Sequence, residues 1–178
     1  MKKMSKIFSV LIRCVIKFFN YFNTTKYMKM YTKYLQKQGI QIEDYDGVGY
    51  IDPTAEIDGA DCSLISIGKN VTMSKHVILL THDFSIWNAL IYKYPELKKQ
   101  RIRFLKRIDI GNNVFIGANS IVLPGTTIEE NVIIGSASVV KGKLQRNTVY
   151  AGNPAKPICT IEEFLYNHEK KQDFQIFK

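Results

Sequence analysis

The sequence predicts an all-β core built as a solenoid, a parallel β-helix, with helices at both ends. Between Ile110 and Val140 an aliphatic residue recurs at every sixth position, at Ile110, Ile116, Val122, Ile128, Ile134 and Val140. A period of six fits neither an α-helix nor a simple strand, so it indicates a repeat architecture. Glycine and asparagine recur at the expected corners, as at Gly117 and Asn131, where a positive φ angle is often needed.

Length and composition describe one ordinary globular domain. The 178 residues are enough to bury a substantial core, and no low-complexity tract interrupts them. The three cysteines, Cys14, Cys62 and Cys159, are scattered and form neither a disulfide framework nor a metal-binding spacing. This usage favours a reducing compartment, so we expect a cytoplasmic protein.

Positive charge is concentrated in an N-terminal arm. Residues 1–37 contain nine Lys or Arg and no acid, and the remaining 16 basic residues equal the 16 acidic ones. The net charge of +9 therefore belongs to residues 1–37. This distribution argues against a body that binds nucleic acid and favours an arm that faces an anionic partner.

Two helices are predicted in the arm, which we take as residues 1–48. The segment 7–22 is apolar apart from a stripe that includes Arg13 and Lys17, and it is too short to span a membrane comfortably. Two interpretations stay open: a helix lying on the anionic inner face of the membrane, or one packed on the body or a neighbouring subunit. The second helix covers residues 27–38 and ends at Gly39.

The six-residue rhythm defines a β-helix domain over residues 49–158. It begins at Ile51, resumes at Ile67 after four extra residues, and breaks at His82. Residues 84–107 lack the period, and we interpret them as a loop inserted at a corner.

A C-terminal helix is predicted within residues 159–178. Thr160 and Glu163 form a capping-box pattern that opens a helix over roughly 161–170. We expect this helix to cover the last coil, because an open solenoid end leaves backbone groups unpaired.

Several motifs in the β-helix domain resemble those of the hexapeptide-repeat acyltransferases. They are the repeats at 116–120 and 134–138, the sequence THD at 81–83, and the closing AGNPAK at 151–156. The similarity covers about residues 51–158 and is closest to the maltose and galactoside O-acetyltransferases and to those of capsule and O-antigen assembly. It implies a left-handed β-helix that works as a homotrimer, with acetyl-CoA between adjacent subunits, a histidine base and no metal.

His82 is the predicted catalytic base. Acetyl transfer to an alcohol requires that the hydroxyl proton leave as the C–O bond forms, and a neutral imidazole suits this task, contributing on the order of 10²–10⁴-fold in rate. A lone histidine at a strand end is more often structural. His82 matches the histidine motif of the resembled family, however, and lies next to the aromatic-rich loop.

Asp83 and Trp87 are the candidates for contact with the acceptor. Asp83 either orients the imidazole or binds the sugar, or else caps the outgoing loop, and Trp87 is the candidate platform for stacking a sugar ring. The loop also has seven cations against the single acid Glu96: Lys93, Lys98, Lys99, Arg101, Arg103, Lys106 and Arg107. These cations form either an anion-binding lid for a phosphorylated acceptor or a solvated, mobile loop.

The cofactor is expected to lie along a column of small residues. Three faces of six residues make an 18-residue coil, so Ala118, Ser136 and Pro154 should stack. In the resembled family this column contacts the pantetheine arm, whose amides can pair with exposed backbone groups. Lys141 and Lys156 match the cations that bind the CoA phosphates in the resembled family, although Gly142 stands where the family often has a lysine and Lys143 follows it. The alternative for Lys141 and Lys143 is a solvated basic turn.

The resemblance implies an acetyl-CoA-dependent O-acetyltransferase that acts on a sugar hydroxyl in capsule, O-antigen or exopolysaccharide biosynthesis. The alternatives are N-acetylation of a nucleotide-linked amino sugar, acetylation of a small acceptor such as serine, and a non-enzymatic β-helix scaffold. The expected partners are further copies of the chain, a saccharide acceptor and, through the arm, an anionic membrane at its cytoplasmic face, with no nucleic acid.

Overall fold

A computed structural model describes residues 6–43, 49–58 and 61–176. The helices are α1 (Lys6–Phe18), α2 (Thr24–Gln38), α3 (Ser85–Lys93) and α4 (Ile161–Lys171). The strands are β1 (Gln41–Ile42), β2 (Tyr50–Ile51), β3 (Glu56–Ile57), β4 (Ile65–Ile67), β5 (Thr72–Met73), β6 (Ile78–Leu79), β7 (His82–Asp83), β8 (Phe104–Leu105), β9 (Ile108–Ile110), β10 (Val114–Ile116), β11 (Ile121–Val122), β12 (Thr127–Ile128), β13 (Val132–Ile134), β14 (Val139–Val140), β15 (Lys143–Leu144), β16 (Thr148–Gly152) and β17 (Ala155–Thr160).

These strands form the left-handed parallel β-helix predicted from the sequence. Face A contains β1, β4, β9, β12 and β15, face B contains β2, β5, β10, β13 and β16, and face C contains β3, β6, β11 and β14. The chain passes from face A to B to C and back to A in each coil. The three faces form a triangular prism, and its three edges are called the A–B, B–C and C–A corners.

The aliphatic repeat forms the core of the prism. Its six members are each 3% exposed or less and stack on their counterparts in neighbouring coils. On face B, for example, Ile116 lies between Met73 and Ile134. Burial of each such side chain contributes about 1.5–3 kcal/mol, so the repeat accounts for much of the stability of the domain.

Asparagines form the A–B corner. Asn70, Asn113, Asn131 and Asn147 all have φ angles near the left-handed helical region, between 53° and 56°. Their side-chain amides bond in series from coil to coil at 2.8–2.9 Å. Asparagine fits here because it tolerates positive φ and its amide both donates and accepts. The prediction that Asn113 and Asn131 lie at turns is confirmed.

Two elements close the ends of the prism. Helix α2 ends at Gly39 as predicted, and Tyr27 and Tyr31 on it are buried against the first coil, where the Tyr27 hydroxyl donates to the Ile51 carbonyl at 2.7 Å. At the other end β17 pairs antiparallel with β16. Helix α4 begins with the predicted capping box, but β17, rather than the helix, provides the backbone partners of β16.

Every irregularity in coil length after Ile51 falls at the C–A corner. The regular crossing from face C to face A takes six residues, from Val122 to Ile128. The first coil has four extra residues there, the second has the insertion, and the last is two residues short, between Val140 and Leu144. The insertion is more ordered than the predicted loop, because it contains α3 and a short hairpin of β7 with β8.

The repeat makes a matched stability prediction on face A. Ile128 is 1% exposed and points into the core, whereas its neighbour Thr127 points outward. Ile128→Ala should lower the free energy of unfolding by about 2–5 kcal/mol through lost burial and the cavity left behind. Thr127→Ala should change it by less than about 0.5 kcal/mol. Urea denaturation at one fixed protein concentration measures both, and equal losses would contradict the assignment of these faces.

Candidate active site

His82 and Asp58 form a close pair at the C–A corner. The Nδ1 atom of His82 lies 2.5 Å from the Oδ2 atom of Asp58, and the two side chains are 27% and 6% exposed. The same carboxylate oxygen accepts hydrogen bonds from the backbone N–H and the hydroxyl of Thr81, at 2.9 and 2.7 Å. The carboxylate is therefore fixed from two sides behind the imidazole ring.

Successive coils bring this pair together. The backbone N–H of Asp58 donates to the Leu79 carbonyl, which places Asp58 one coil away from the end of β6. The chain then continues through Thr81 into β7, where His82 leaves the coil to pair with Leu105 of β8. A residue of the first coil thus supports a side chain of the second.

The pairing fixes what the imidazole can do. A carboxylate accepts hydrogen bonds, so in the neutral ring Nδ1 has the proton and Nε2 keeps its lone pair. An imidazole held in this tautomer by a buried carboxylate is suited to accept a proton at Nε2. The carboxylate also stabilises the imidazolium that results.

Asp83 lies beside this pair but does not orient the ring, because Asp58 occupies that position. Its carboxylate accepts a hydrogen bond from the Ser85 backbone N–H at 2.7 Å and so caps the start of α3. The hydrogen bonds from Ser85 hold the pKa of Asp83 below its usual value, with smaller effects from Lys141 and His82. The hydrogen bond to Ser85 supports the cap, and contact of Asp83 with the sugar stays a prediction.

Phe84, rather than Trp87, is the aromatic residue next to the imidazole. The ring centroids of Phe84 and His82 are 5.4 Å apart at 82°, and Phe84 is 39% exposed. Trp87 lies on α3, half-buried, with its Nε1 atom enclosed and without a hydrogen-bond partner in the described part of the chain. Trp87, the predicted platform for sugar stacking, is therefore less accessible than Phe84.

The predicted cofactor column is present for two of its three members. Ala118 and Ser136 are neighbours at the B–C corner, where the N–H of Ala137 bonds to the carbonyl of Ala118 at 2.8 Å. A side chain on Gly117 would come within 2.5 Å of the Ser136 backbone nitrogen, so these coils approach too closely for any residue but glycine.

Pro154 is not the third member of the column, and this prediction was wrong. The last coil is two residues short, so Ile134 pairs with Tyr150 and the residue stacked on Ser136 is Gly152. Pro154 lies instead in the turn between β16 and β17, after a cis peptide bond.

The two predicted phosphate-binding lysines lie in different places. Lys156 is exposed on β17, opposite Ala151 in the antiparallel pair. Lys141 is exposed at the C–A corner, close enough to Asp83 to influence its pKa. Lys143 forms an ion pair with Glu129 at 2.8 Å.

The candidate base and the candidate cofactor column lie at different corners of the chain. His82 is at the C–A corner and Ala118 with Ser136 at the B–C corner, so face C lies between them. A single chain therefore does not bring these two groups together.

Asp58 is a candidate site residue that sequence reasoning missed. It lies 24 positions before His82, whereas a regular coil has 18. The first coil has four extra residues and is therefore 22 residues long, so Asp58 stacks on Leu80, two residues before His82. This coil length was the sequence signal that could have identified Asp58.

Among residues 6–43, 49–58 and 61–176, no group of three or more His, Cys, Asp or Glu side chains is arranged as a metal site. The same residues include no helix with the length and hydrophobicity needed to cross a bilayer.

Residues 107–142 match the family model of the bacterial transferase hexapeptide, a unit of six repeats. Protein CapG of Staphylococcus aureus is 40% identical over 130 residues, which are 73% of this chain and 71% of CapG. The putative lipopolysaccharide biosynthesis O-acetyl transferase WbbJ of Escherichia coli is 31% identical over 134 residues, 74% of this chain but only 60% of WbbJ.

A solved structure agrees with these matches. The maltose O-acetyltransferase of Clostridium difficile superposes with a TM-score of 0.52 and 26% identity, covering 86% of this chain and 88% of that protein. The extent of the CapG match, the repeat model and the shared β-helix lead to one conclusion. The chain belongs to the hexapeptide-repeat acyltransferase family.

Proposed function

We propose that this protein is an acetyl-CoA-dependent O-acetyltransferase that acts on a sugar hydroxyl of a bacterial surface polysaccharide or its precursor. The observation that carries the proposal is the His82–Asp58 pair, a base held in one tautomer beside an exposed aromatic ring. The O-acetyltransferase names of WbbJ and of the maltose enzyme support the choice of a hydroxyl acceptor.

The pair would carry one proton from the acceptor hydroxyl to the leaving thiolate in two transfers. As the sugar oxygen bonds to the acetyl carbon, Nε2 of His82 takes the hydroxyl proton and Asp58 stabilises the imidazolium. When the bond between that carbon and the sulfur breaks, the imidazolium returns the proton to the leaving thiolate. No other proton carrier is needed, so removal of either member of the pair should affect turnover rather than binding.

Backbone groups beside Ala118 and Ser136 are the proposed contacts for the amides of the pantetheine arm. Their small side chains let the arm come close to the backbone at the B–C corner, and an N–H group there that is not used between coils can stabilise the oxyanion of the intermediate. Lys156 is the proposed ligand of the CoA phosphates, and Lys141 is a second candidate from the C–A corner.

A homotrimer would bring the two corners together. Face A points polar residues outward, whereas most outward residues of faces B and C are apolar. They include Phe115 and Ile133 on face B and Ile78, Ile121 and Val139 on face C, and the exceptions are Thr72 and Glu56. Two apolar faces, one toward each neighbour, are what a closed ring with heterologous contacts requires. In such a ring His82 of one subunit can meet the cofactor column of the next.

Removal of the base tests the reaction itself. His82→Ala should lower kcat by about 10²–10⁴-fold, because the hydroxyl proton loses its acceptor. Asp58→Asn should give a loss in the same range, since the amide can donate to Nδ1 and leave the proton on Nε2. Mass spectrometry of a panel of sugar, amino-sugar and serine acceptors with acetyl-CoA measures transfer, and CoA affinity and melting temperature are the controls. Near-normal turnover in His82→Ala would contradict the mechanism, and transfer to amines alone would contradict the O-acetyl assignment.

Mixed trimers test whether each site is shared between subunits. His82→Ala removes the base, and Ser136→Trp fills the cofactor column from an exposed position. Each variant alone should be inactive. Co-expressed as a random mixture they should recover up to about one quarter of wild-type activity, because some sites combine an intact base with an intact column. A mixture of His82→Ala with Asp58→Asn is the control and should recover nothing. Failure of the first mixture would place both groups of a site on one chain.

The arm is the proposed membrane contact, at the cytoplasmic face. Helix α1 buries Ile16 against the body, while Leu11, Val15 and Phe18 are 57–60% exposed along its opposite side. Lys17 turns inward to the Pro53 carbonyl, and burial lowers the pKa of Lys17, with a smaller effect from Arg13. The exposed apolar stripe lies within residues 1–37, which have nine cations and no acid, and this combination suits the surface of an anionic bilayer.

Vesicle binding tests this contact. The full chain should sediment with vesicles containing phosphatidylglycerol and much less with phosphatidylcholine vesicles. Val15→Glu should reduce the binding by about 10-fold or more, because it places a charge within the apolar stripe. Tyr166→Glu, at an exposed aromatic residue on α4, is the matched control and should bind normally. If the wild type does not bind vesicles and Val15→Glu changes the oligomeric mass, the stripe packs on a neighbouring subunit instead.

A further inference from the structure

The inserted segment 84–107 begins and ends at the candidate base. Strand β7 contains His82, and the returning strand β8 pairs Leu105 with His82 and Phe104 with Asp83. Arg103, which directly precedes β8, is therefore held near the imidazole by the pairing of the hairpin strands.

Arg103 is the cation most directly linked to the base. Its guanidinium carbon lies 6.0 Å from the centroid of the Phe84 ring, and that ring is packed edge-on against His82. Hydrogen bonds from Ser63 lower the pKa of Asp61, with a smaller effect from Arg103, so that exposed carboxylate is also nearby. Arg103 forms no ion pair within 4 Å with any carboxylate in the described ranges.

Arg107, four residues later, is a structural arginine in the same segment. Its guanidinium binds Asp109 at 2.6 Å, the Gln41 side chain at 2.6 Å and the Ser63 carbonyl at 3.3 Å. All of its nitrogens have partners on the body, so it anchors the returning stem. Arg103 has no such set of contacts in the described residues, and an anchoring role does not explain it.

The surface around Arg103 has the composition of a saccharide site. Phe84 and Leu105 are 39% and 42% exposed beside the base. Phe104 and Lys106, whose Nζ atom lies 5.4 Å from the Phe104 ring, are on the other side of the hairpin because side chains alternate along β8. Exposed aromatic faces can cover the apolar face of a sugar ring, and unpaired guanidinium groups bind carboxylate and phosphate in a fixed geometry. The carboxylates facing this surface are Asp61, Asp83 and the already engaged Asp58.

We infer that Arg103 binds an anionic group of the acceptor, so that the enzyme selects a sugar that has a carboxylate or a phosphate near the acetylated hydroxyl. This inference rests on the proposed acetyl transfer and adds its substrate class. Phe84 then separates the anion from the base, so the negative charge is held beside the imidazole ring and not against its Nε2 atom. An anionic acceptor also explains why residues 84–107, which follow directly after β7, have seven cations and one acid.

Matched acceptors and one charge-removing variant test the inference. The full-length enzyme is given acetyl-CoA with a hexuronic acid glycoside or its neutral hexose counterpart, and with a sugar 1-phosphate or the corresponding methyl glycoside. The wild type should have a higher kcat/KM for the charged member of at least one pair, and the pair that responds identifies carboxylate or phosphate. Arg103→Gln should lower that value by about 10- to 100-fold and leave the neutral acceptor unchanged.

Two further variants separate recognition from folding. Arg103→Lys keeps the charge and should recover part of the loss, whereas Arg101→Gln removes an equal charge two residues away and should have little effect. Equal kcat/KM for charged and neutral acceptors, or an unchanged preference in Arg103→Gln, would overturn the inference and leave the acetyltransferase proposal standing. No transfer to any acceptor, with normal CoA binding, would overturn both.

Discussion

The hydrogen bonds between successive coils are the constraint on which the rest of the structure depends. Backbone N–H groups bond to the next coil rather than within their own, as in Gly68 to Ile110 and Gly111 to Ile128, both at 2.8 Å. Neighbouring coils must therefore agree in length wherever their strands pair, or the aliphatic side chains would leave the core. The same bonds leave unpaired groups at each end, which explains why α2 with β1 closes one end and β17 the other.

The fold was predictable because its signal is local and repeated. Six aliphatic positions at a constant spacing define the inward side of every regular strand, and no distant contact is needed to recognise them. The capping box of α4 and the Gly39 end of α2 are likewise local signals. The short helix α3 was missed because an insertion has no repeat against which its pattern can be compared.

The site was predictable only as far as the register was known. His82 was predicted as the base from its motif, and its partner Asp58 required the length of an irregular first coil. Pro154 was misplaced because a two-residue shortening after Val140 cannot be seen from the period. The division of base and column between two corners depends on the wrapping of the chain, which a linear motif does not describe. Errors of this kind arise from counting, not from the chemistry of the residues.

The placement of all coil irregularities at one corner has an evolutionary consequence. Residues can be added or removed at the C–A corner without shifting faces B and C, because the chain re-enters face A in register in the described coils. Selection can therefore lengthen, shorten or replace the segment around His82 while the surfaces that two neighbours would share stay constant. For protein engineering, the same edge is the natural site for grafting segments between relatives, since a transplanted segment has only to match two adjacent anchor strands.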